Sequence, residues 1–411
     1  MKRWDEELFA RSKESWKTIS PSDFVGFLRP KLKDVVSWPE LEARLKEGRK
    51  LSVKFGIDPT AKDVHLGHLV PIMVLRQFLK AGHKISLIIG DFTARVGDPS
   101  GRTSARKALS EKDIKENQKT YLSQIGKFID IKKIKTSHNS QWLSKMDLSK
   151  WFSIIQQVPL TDATQREDFR ERMKNESGVT LAEACYGVLM AADSLQVKAD
   201  VEVGGVDQLL NFQQCRLVMN KMGFKPEVAV TTPILEGTSG DGRKMSKSFD
   251  NYIAATASPS EKFGKIMSIP DSQIEQYFSY FGDVAEKELA ELRSFINKNP
   301  LEAKKQVACL LIAIGDGGMK VALSAREEWE RIFSKHDISS QDCFALEAGK
   351  AFDVLFASGK FESKSYLRRL FEQKAIRKIK KNKEEAVLGL EDAIESGDLV
   401  RAGKKDYFRA K

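Results

Sequence analysis

Apolar residues alternate between short unbroken runs and a longer helical stretch in the first third of the chain. The runs LSVKFGI (51–57) and KISLIIG (84–90) have the length and composition of buried β-strands. Between them, HLVPIMVLRQFLKAG (68–82) has the length of a helix. The pattern predicts a β-α-β unit, which is typical of a parallel, doubly wound sheet.

The same alternation returns farther along the chain. Residues 108–200 are predicted to be mainly helical and inserted before the sheet resumes at VEVGG (201–205). A helix near 208–223 and a strand near 228–234 follow, and after Ala257 the pattern becomes all helical. A chain of 411 residues with this pattern is expected to form several domains.

Changes in pattern along the chain set the predicted domain boundaries. We predict a polar, helical N-terminal arm at 1–48, an α/β domain at 49–256 and an all-helical domain at 257–340. A small basic α+β module follows at 345–411, after a polar stretch at 333–342 that is the best candidate for a linker.

The cysteines and the N-terminus indicate a reducing, cytoplasmic setting. The four cysteines are 30, 94 and 34 positions apart, so no C-x-x-C pair suggests a disulfide framework, and no metal site is predicted. The first residues, MKRWDEELFARSKESW, alternate charges and lack the apolar region of a signal peptide. The longest apolar run, VACLLIAIG (307–315), is about half as long as a membrane span.

The charge balance favours a polyanionic partner. The formal net charge is +11, and residues 351–411 hold 15 Lys and Arg against 10 Asp and Glu. A basic excess attracts nucleic acid, although solubility alone also accounts for a charge of this size.

A His-Leu-Gly-His tetrad follows the first predicted strand. In VKFGIDPTAKDVHLGHLV (53–70), the strand leads to a turn and then to a helix that begins near the tetrad. The helix N-terminus and its free N–H groups form a natural phosphate site. His65 and His68 are three residues apart, so they share one helix face, and Gly67 leaves room for a base or ribose to approach the backbone.

A second cationic element lies almost 180 positions downstream. LEGTSGDGRKMSKSFDNYI (235–253) has a flexible Gly/Ser approach to Lys244 and Lys247, which are able to fold over a triphosphate. The chain has no G-x-x-x-x-G-K-[ST] stretch, and IGDFTARVGDPSG (89–101) lacks the G-x-G-x-x-G spacing of a dinucleotide fold. The two elements predict attack at the α-phosphate of a nucleotide, with His65, His68, Lys244 and Lys247 stabilising charge.

These residues resemble the motifs of class I aminoacyl-tRNA synthetases, with His65–His68 as HIGH and Lys244–Ser248 as KMSKS. Within that family the chain is most similar to the bacterial tyrosyl-tRNA synthetases, from about Leu51 to Tyr252. The supporting runs are KFGIDPTAKDVHLGH (54–68), IGDFTARVGDPSGR (89–102), KADVEVGGVDQ (198–208) and KMSKSFDNYI (244–253). The resemblance implies a Rossmann-like catalytic domain and a helical domain on the anticodon side.

The resemblance also implies roles for residues outside the two motifs. Gly56, Asp58 and Thr60 match residues that contact ATP before HIGH, and Gly67 and Lys247 belong to the same nucleotide site. Asp207 matches the residue that contacts the ribose.

For the amino acid, Gln208 matches the contact to the substrate carbonyl, and Asp98 matches an acidic group near the α-amine. Tyr186 and Asp193, on a predicted helix at 181–197, match residues that hold the amine and the phenolic hydroxyl.

Two positions depart from the family pattern. Lys54 stands where many members have a second tyrosine facing the phenol, and Met190 stands where they have a glutamine near the amine. A buried Asp193 can read a phenol, because discrimination requires a buried polar group that is left unpaired by the wrong side chain.

The C-terminus, at 351–377 and 397–411, resembles the alpha-L RNA-binding motif of ribosomal proteins. Its helix LRRLFEQKAI has apolar residues for packing, and it leaves cations outward that suit backbone and shape recognition of structured RNA. The cations are Arg368, Arg369, Lys374, Arg377, Lys378, Lys380, Lys381 and Lys383.

The expected activity is ATP-dependent and Mg²⁺-assisted activation of tyrosine to tyrosyl-adenylate, followed by transfer to the 3′ end of tRNA. ATP with Mg²⁺ is a substrate, and no tightly bound cofactor is expected. The resemblance implies a homodimer, with apolar surface from WFSIIQQV (151–158). The alternatives are a synthetase with altered amino-acid specificity, a nucleotidyltransferase acting on a small molecule, and a noncatalytic RNA-binding relative.

Overall fold

A six-stranded sheet organises the first of two compact units, Met1–Leu323 and Ser324–Lys411. The computed structural model describes residues 2–60, 62–100, 111–175, 178–334, 343–380, 383–403 and 406–411. The strands of the sheet are β1 Asp34–Val36, β2 Ser52–Ile57, β3 Lys84–Ile89, β4 Lys135–His138, β5 Val201–Gly205 and β6 Val228–Thr232.

The strand order is β1-β6-β5-β2-β3-β4, and every neighbouring pair is parallel except β1 with β6. The chain runs outward from β2 to β4 and then crosses to β5 on the other side of β2. The predicted doubly wound parallel sheet is therefore confirmed, and its topological switch point lies between β2 and β5. Ligands bind at such a point, outside the carboxyl ends of the strands.

Helices cover the sheet and form the rest of this unit, and the last of them, Met319–Trp329, continues past the end of the unit at Leu323. The first ones are α1 Trp4–Ser12, α2 Pro21–Leu28, α3 Trp38–Lys46, α4 Leu66–Lys80, α5 Thr93–Val96, α6 Glu111–Ile125, α7 Ser140–Leu143, α8 Leu148–Ile155 and α9 Leu160–Thr164. They are followed by α10 Glu167–Lys174, α11 Leu181–Ala184, α12 Tyr186–Val197, α13 Leu209–Lys221, α14 Pro259–Met267, α15 Ile274–Phe281, α16 Leu289–Lys298, α17 Pro300–Gly315 and α18 Met319–Trp329. No helix of the described ranges is long and apolar enough to cross a membrane.

Three local predictions differ from the structure. The arm at 1–48 was expected to be helical, but it contributes β1, in which Val35 pairs with Val230 of β6. The inserted region at 108–200 contributes β4 to the sheet beside β3. The predicted helix at 181–197 is two helices, because Cys185 separates α11 from α12.

The far end of α4 is fixed by a buried carboxylate. Asp283 accepts hydrogen bonds from Gln77 Nε2 at 2.6 Å and from Lys80 Nζ at 2.5 Å. Burial would raise the pKa of Asp283, but the cations of Lys80 and Lys31 hold it below its ordinary value. The helix that follows the HIGH element therefore has a rigid anchor at its other end.

The second unit has a mixed α+β core. Its strands are β7 Cys343–Leu346, β8 Gly349–Lys350, β9 Ile376–Lys380, β10 Lys383–Val387, β11 Ala393–Ile394, β12 Leu399–Ala402 and β13 Asp406–Ala410, and its helices are α19 Ala351–Ala357 and α20 Lys364–Glu372. Five of the strands form a sheet in the order β10-β9-β12-β13-β7. Leu355, Leu367 and Phe408 are among the residues of its buried core. Ile376, predicted on the helix, instead begins β9. Of the predicted linker at 333–342, the first two residues end a short helical segment, Glu330–Ser334, and residues 335–342 lie outside the described residues.

Candidate active site

A cavity of about 460 Å³ opens at the switch point of the sheet. β2 and β5 pair at only two positions, Val53 with Val201 and Lys54 with Glu202. The strand ends beyond these pairs line the cavity. Of the residues predicted to bind nucleotide or amino acid, all but Lys247 line it, namely Gly56, Asp58, Thr60, His65, Gly67, His68, Asp98, Tyr186, Asp193, Asp207, Gln208 and Lys244.

Backbone hydrogen bonds join the two motifs although they are far apart in the chain. Leu66 N–H donates to the Ile253 carbonyl at 3.0 Å, and Ala255 N–H donates to the Val64 carbonyl at 2.8 Å. His65 and Ala254 form an antiparallel bridge between these two bonds. The segment that follows KMSKS is therefore held directly beside the start of α4.

The two HIGH histidines are stacked and neutral. Their ring centroids are 3.7 Å apart, and His65 N–H donates to His68 Nδ1 at 3.3 Å. Burial lowers the pKa of His65 to about 2 and that of His68 to about 4, and the Lys247 cation adds to both shifts. Because Nδ1 of a neutral His68 accepts a hydrogen bond, its proton is on Nε2, which is the tautomer able to donate to a phosphate oxygen.

The KMSKS loop is fixed from its downstream side. Asn251 Oδ1 accepts from Ser246 N–H at 2.8 Å, and Asn251 Nδ2 donates to the Lys244 carbonyl at 3.2 Å. Lys244 lines the cavity, but Lys247 forms an ion pair with Asp63 at 2.9 Å. The structure therefore brings one of the two predicted lysines to the cavity and holds the other against the loop that precedes HIGH.

A carboxylate just after β2 connects α5 with α12 at the cavity. Asp58 accepts from Thr93 Oγ1 at 2.7 Å and from the Tyr186 hydroxyl at 3.1 Å. Burial raises the pKa of Asp58 to about 7, and the nearby Asp98 carboxylate adds to this shift. The acidic lining of this region favours the binding of a cationic group such as an α-ammonium.

A chain of polar groups orients Asp98. Gln208 Nε2 donates to Asp98 Oδ2 at 2.8 Å, and Asn211 Nδ2 donates to Gln208 Oε1 at 2.8 Å. Arg166, from the segment before α10, donates to Asn211 Oδ1 at 3.3 Å. Asp207 is the residue before Gln208 in the sequence, and burial raises the pKa of the Asp207 carboxyl group. The positions of Asp98 and Gln208 therefore depend on the inserted helices.

Asp193 is held by two donors that the sequence did not suggest. Trp142 Nε1 donates to its Oδ1 at 2.7 Å, and Asn139 Nδ2 donates to its Oδ2 at 3.3 Å. Burial raises the pKa of Asp193 to about 6, against the opposing effects of the Lys54 cation and the two donors. At neutral pH the group is a fixed carboxylate with an acceptor site for a hydroxyl.

The described members of the predicted RNA-binding set lie on α20, in the turn after it, and on β9 and β10. Arg368, Arg369 and Lys374 are exposed, and Lys374 has a positive φ of 55° in the turn between the two elements. Arg377 is half-buried, and Lys378 pairs with Asp398 at 2.5 Å, so part of its charge is neutralised. Lys381 lies outside the described residues.

Comparison with known proteins agrees with this geometry. Residues 46–334 match the family model described as tRNA synthetases class I (W and Y). The chain belongs to this class I tRNA synthetase family. A curated tyrosine–tRNA ligase from Symbiobacterium thermophilum is 38% identical over 92% of this chain and 94% of its own length. One from Aquifex aeolicus is 36% identical over 95% and 99%.

Solved structures share the fold of this synthetase. A C-terminally truncated mitochondrial tyrosyl-tRNA synthetase from Aspergillus nidulans has a TM-score of 0.63 at 22% identity, covering 80% of this chain and 99% of that one. The tyrosyl-tRNA synthetase from Archaeoglobus fulgidus, solved with L-tyrosine, has a TM-score of 0.60 at 22% identity, covering 75% and 100%. At this identity the likeness concerns the fold alone.

Proposed function

We propose that the chain is a tyrosine–tRNA ligase that activates tyrosine with ATP and transfers it to the 3′ end of tRNA. The observation that carries the choice of amino acid is Asp193, a buried carboxylate fixed by Trp142 and Asn139 at the cavity. ATP enters with Mg²⁺ as a substrate. We expect the reaction to take place in the cytoplasm, where translation uses the charged tRNA.

The residues of the cavity suit an in-line attack by the tyrosine carboxylate on the α-phosphate. Asp98, Tyr186 and Gln208 hold the amino acid, and Gly56, Asp58, Thr60, Gly67 and Asp207 hold the nucleotide. His65 and His68 donate hydrogen bonds to phosphate oxygens without carrying charge. Lys244 and Lys247 stabilise the charge that develops as pyrophosphate leaves. No general base is needed, because the carboxylate is already ionised and the step requires positioning and charge stabilisation.

Pyrophosphate exchange with a panel of amino acids tests the proposed function. We expect ATP–pyrophosphate exchange with tyrosine and little with phenylalanine or tryptophan. Exchange with another amino acid and none with tyrosine would show that Lys54 and Met190 belong to a pocket of different specificity.

Replacing Asp193 with asparagine is expected to lower the preference for tyrosine over phenylalanine by at least about tenfold. The substitution removes the ionised acceptor for the phenol of tyrosine. A buried hydroxyl without a good partner costs roughly 1–3 kcal/mol of binding free energy. The measurement is kcat/KM in exchange with each amino acid. Phenylalanine is the internal control, because it has no hydroxyl to lose a partner. An equal loss with both substrates would contradict the role of Asp193.

We also propose a homodimer, formed through the apolar surface of α8 and its neighbours. Leu148 and Phe152 are 74% and 63% exposed, and Leu160 and Leu181 are exposed to a similar extent. Large apolar side chains grouped on a surface are typical of protein–protein contacts.

Phe152→Glu is therefore expected to shift the protein from dimer to monomer at micromolar concentration, because it would bury a charge in the interface. Sedimentation velocity measures the shift, and Lys145→Glu, at an exposed polar position before α8, is the control. A wild-type protein that sediments as a monomer would contradict the proposed interface.

We propose the following division of the chain into domains. Residues 49–256 form the catalytic domain, 257–340 the helical domain on the anticodon side, and 345–411 the RNA-binding module, with 1–48 as an arm. Arg368, Arg369, Lys374, Arg377 and Lys378 are the proposed tRNA contacts.

A further inference from the structure

Lys54 is a buried cation that is surrounded by three oxygen atoms of the protein. Its side chain is 1% exposed, and Nζ lies 2.7 Å from Glu202 Oε1, 2.6 Å from Ser194 Oγ and 3.1 Å from the Met190 carbonyl. The contacts with Ser194 and Met190 are hydrogen bonds, and the contact with Glu202 is an ion pair. Lys54 lines the cavity, yet its ammonium is already within 3.1 Å of three protein oxygens and its side chain is almost fully buried.

The anionic side of this cluster holds one negative charge rather than two. Glu202 and Glu227 are both fully buried, and Glu227 accepts from Ser194 Oγ at 3.1 Å. Burial, together with the Glu202 carboxylate, raises the pKa of Glu227 well above its ordinary value, so it carries a proton. Burial alone would lower the pKa of Lys54, but the Glu202 carboxylate beside Nζ raises it. The cluster is therefore one ammonium, one carboxylate and one neutral carboxyl.

The same acids could be taken for a metal site. Among the described residues, ligand atoms of Glu202, Cys215 and Glu227 lie within 4.8 Å of one another. However, the Lys54 ammonium already provides the cation at hydrogen-bond distance from Glu202. Burial raises the pKa of the Cys215 thiol, which keeps it protonated and a poor ligand.

The acceptors of Lys54 lie on both sides of Asp193 in α12. Met190 is three residues before Asp193 and Ser194 is the residue after it, so Lys54 ties β2 to the turn that presents the carboxylate. The other groups around Asp193 are the donors Asn139 and Trp142 and the carboxylate of Asp91, which follows β3. The acids Asp58 and Asp98 and the hydroxyl of Tyr186 lie along the same cavity. Lys54 supplies the cationic field among these groups, and it opposes the effect of Asp91.

We propose that Lys54, paired with Glu202 and bonded to α12 on both sides of Asp193, is a positioning residue that fixes the Asp193 carboxyl group, and that this sets the preference for tyrosine without a contact between Lys54 and the phenol. The inference rests on the proposed tyrosine–tRNA ligase activity. It explains how a buried lysine at the cavity is compatible with selection for the phenol, since that selection then comes from Asp193.

The test is the ratio of kcat/KM for tyrosine to that for phenylalanine, measured by pyrophosphate exchange between about pH 5 and 8.5. The ratio removes the pH dependence that arises from groups such as Asp58, because these groups affect kcat/KM for both substrates. The phenol donates best to an ionised Asp193, so the ratio is high above the pKa of about 6 and falls as the pH decreases through it. In Lys54→Met/Glu202→Gln, which removes both charges together, we expect the midpoint to move upward by about half a pH unit or more, because the cation that lowers the pKa of Asp193 is gone.

Glu227→Gln is the matched control, because glutamine replaces a carboxyl that is already neutral. Its midpoint is expected to match that of the wild type. An unchanged midpoint in a folded double variant would overturn the proposal, as would equal losses with both substrates at every pH. If the double variant does not fold, either of two other results would overturn the proposal. One is a shifted midpoint in Glu227→Gln, and the other is stoichiometric metal in the purified wild-type protein. Absence of any tyrosine-dependent exchange would instead refute the proposed function.

Discussion

Lys247→Ala is expected to slow formation of tyrosyl-adenylate by at least tenfold, and by about 100-fold if the full effect of one charge-stabilising donor is lost. Such a donor contributes roughly 3 kcal/mol when it meets charge that develops in the transition state. Lys247 is one-third exposed and its ion pair with Asp63 is at the surface, so the substitution should change the free energy of unfolding very little. Single-turnover formation of the adenylate, measured with saturating ATP and tyrosine, gives the rate directly.

Asp63→Asn is the matched control for this variant. The Lys247–Asp63 pair must separate before Lys247 can reach a phosphate, because Lys247 does not line the cavity in the structure. Removing the Asp63 charge should therefore leave the rate unchanged or raise it. If both variants slowed the reaction equally, the ion pair itself would be the functional unit. An unchanged rate in Lys247→Ala would refute the proposed role of the KMSKS lysine.

The central strands were predictable because they are buried on both faces. The β2 and β3 segments have the apolar runs that such strands require, and a helix of the expected length separates them. The two strands that sequence reasoning missed, β1 and β4, lie at the edges of the sheet. β1 has three residues, and β4 reads KTSH with no apolar residue. β1 is too short, and β4 too polar, to carry the pattern on which prediction depends, and both features are common in edge strands.

The motif residues of the site were predictable from their spacing, whereas their partners were not. Asn139 and Trp142 follow β4, and nothing in their spacing links them to Asp193, which is more than 50 positions away. The position of Lys247 outside the cavity was equally hidden, because it depends on an ion pair with Asp63 between two loops.

One signal for the Lys54 cluster was present in the sequence. VKFGI and VEVGG each contain one charged residue, at the second position of an otherwise uncharged strand. The two strands are parallel neighbours on either side of the switch point. Lys54 and Glu202 are register partners in the structure. A buried lysine requires a counter-charge, so the two residues could have been paired from the predicted sheet alone.

Truncation after Asp342 is expected to spare the synthesis of tyrosyl-adenylate and to reduce tRNA charging by at least about 100-fold. Every proposed contact to ATP and tyrosine lies before Ile253, and the proposed tRNA contacts lie at 368–378. The module has its own buried core, including Leu367 and Phe408, so its removal should leave the cavity intact. Neutralising several phosphates contributes a large share of the affinity of a protein for nucleic acid, and the share supplied by the module is lost with it. Pyrophosphate exchange and aminoacylation of tRNA, measured on the same preparation, separate the two steps.

Arg368→Glu/Arg369→Glu in the full-length chain is the control that keeps the module folded. Both side chains are exposed on α20, so reversing their charge should leave the core of the module unchanged. This variant should also bind tRNA more weakly, and its affinity should depend less steeply on salt, because fewer counterions are released on binding. Comparing the two variants separates the effect of the surface charge of the module from the effect of removing the whole module. If the truncated protein charges tRNA normally, the module is dispensable, and if only the truncation has an effect, α20 is not the surface that contacts tRNA.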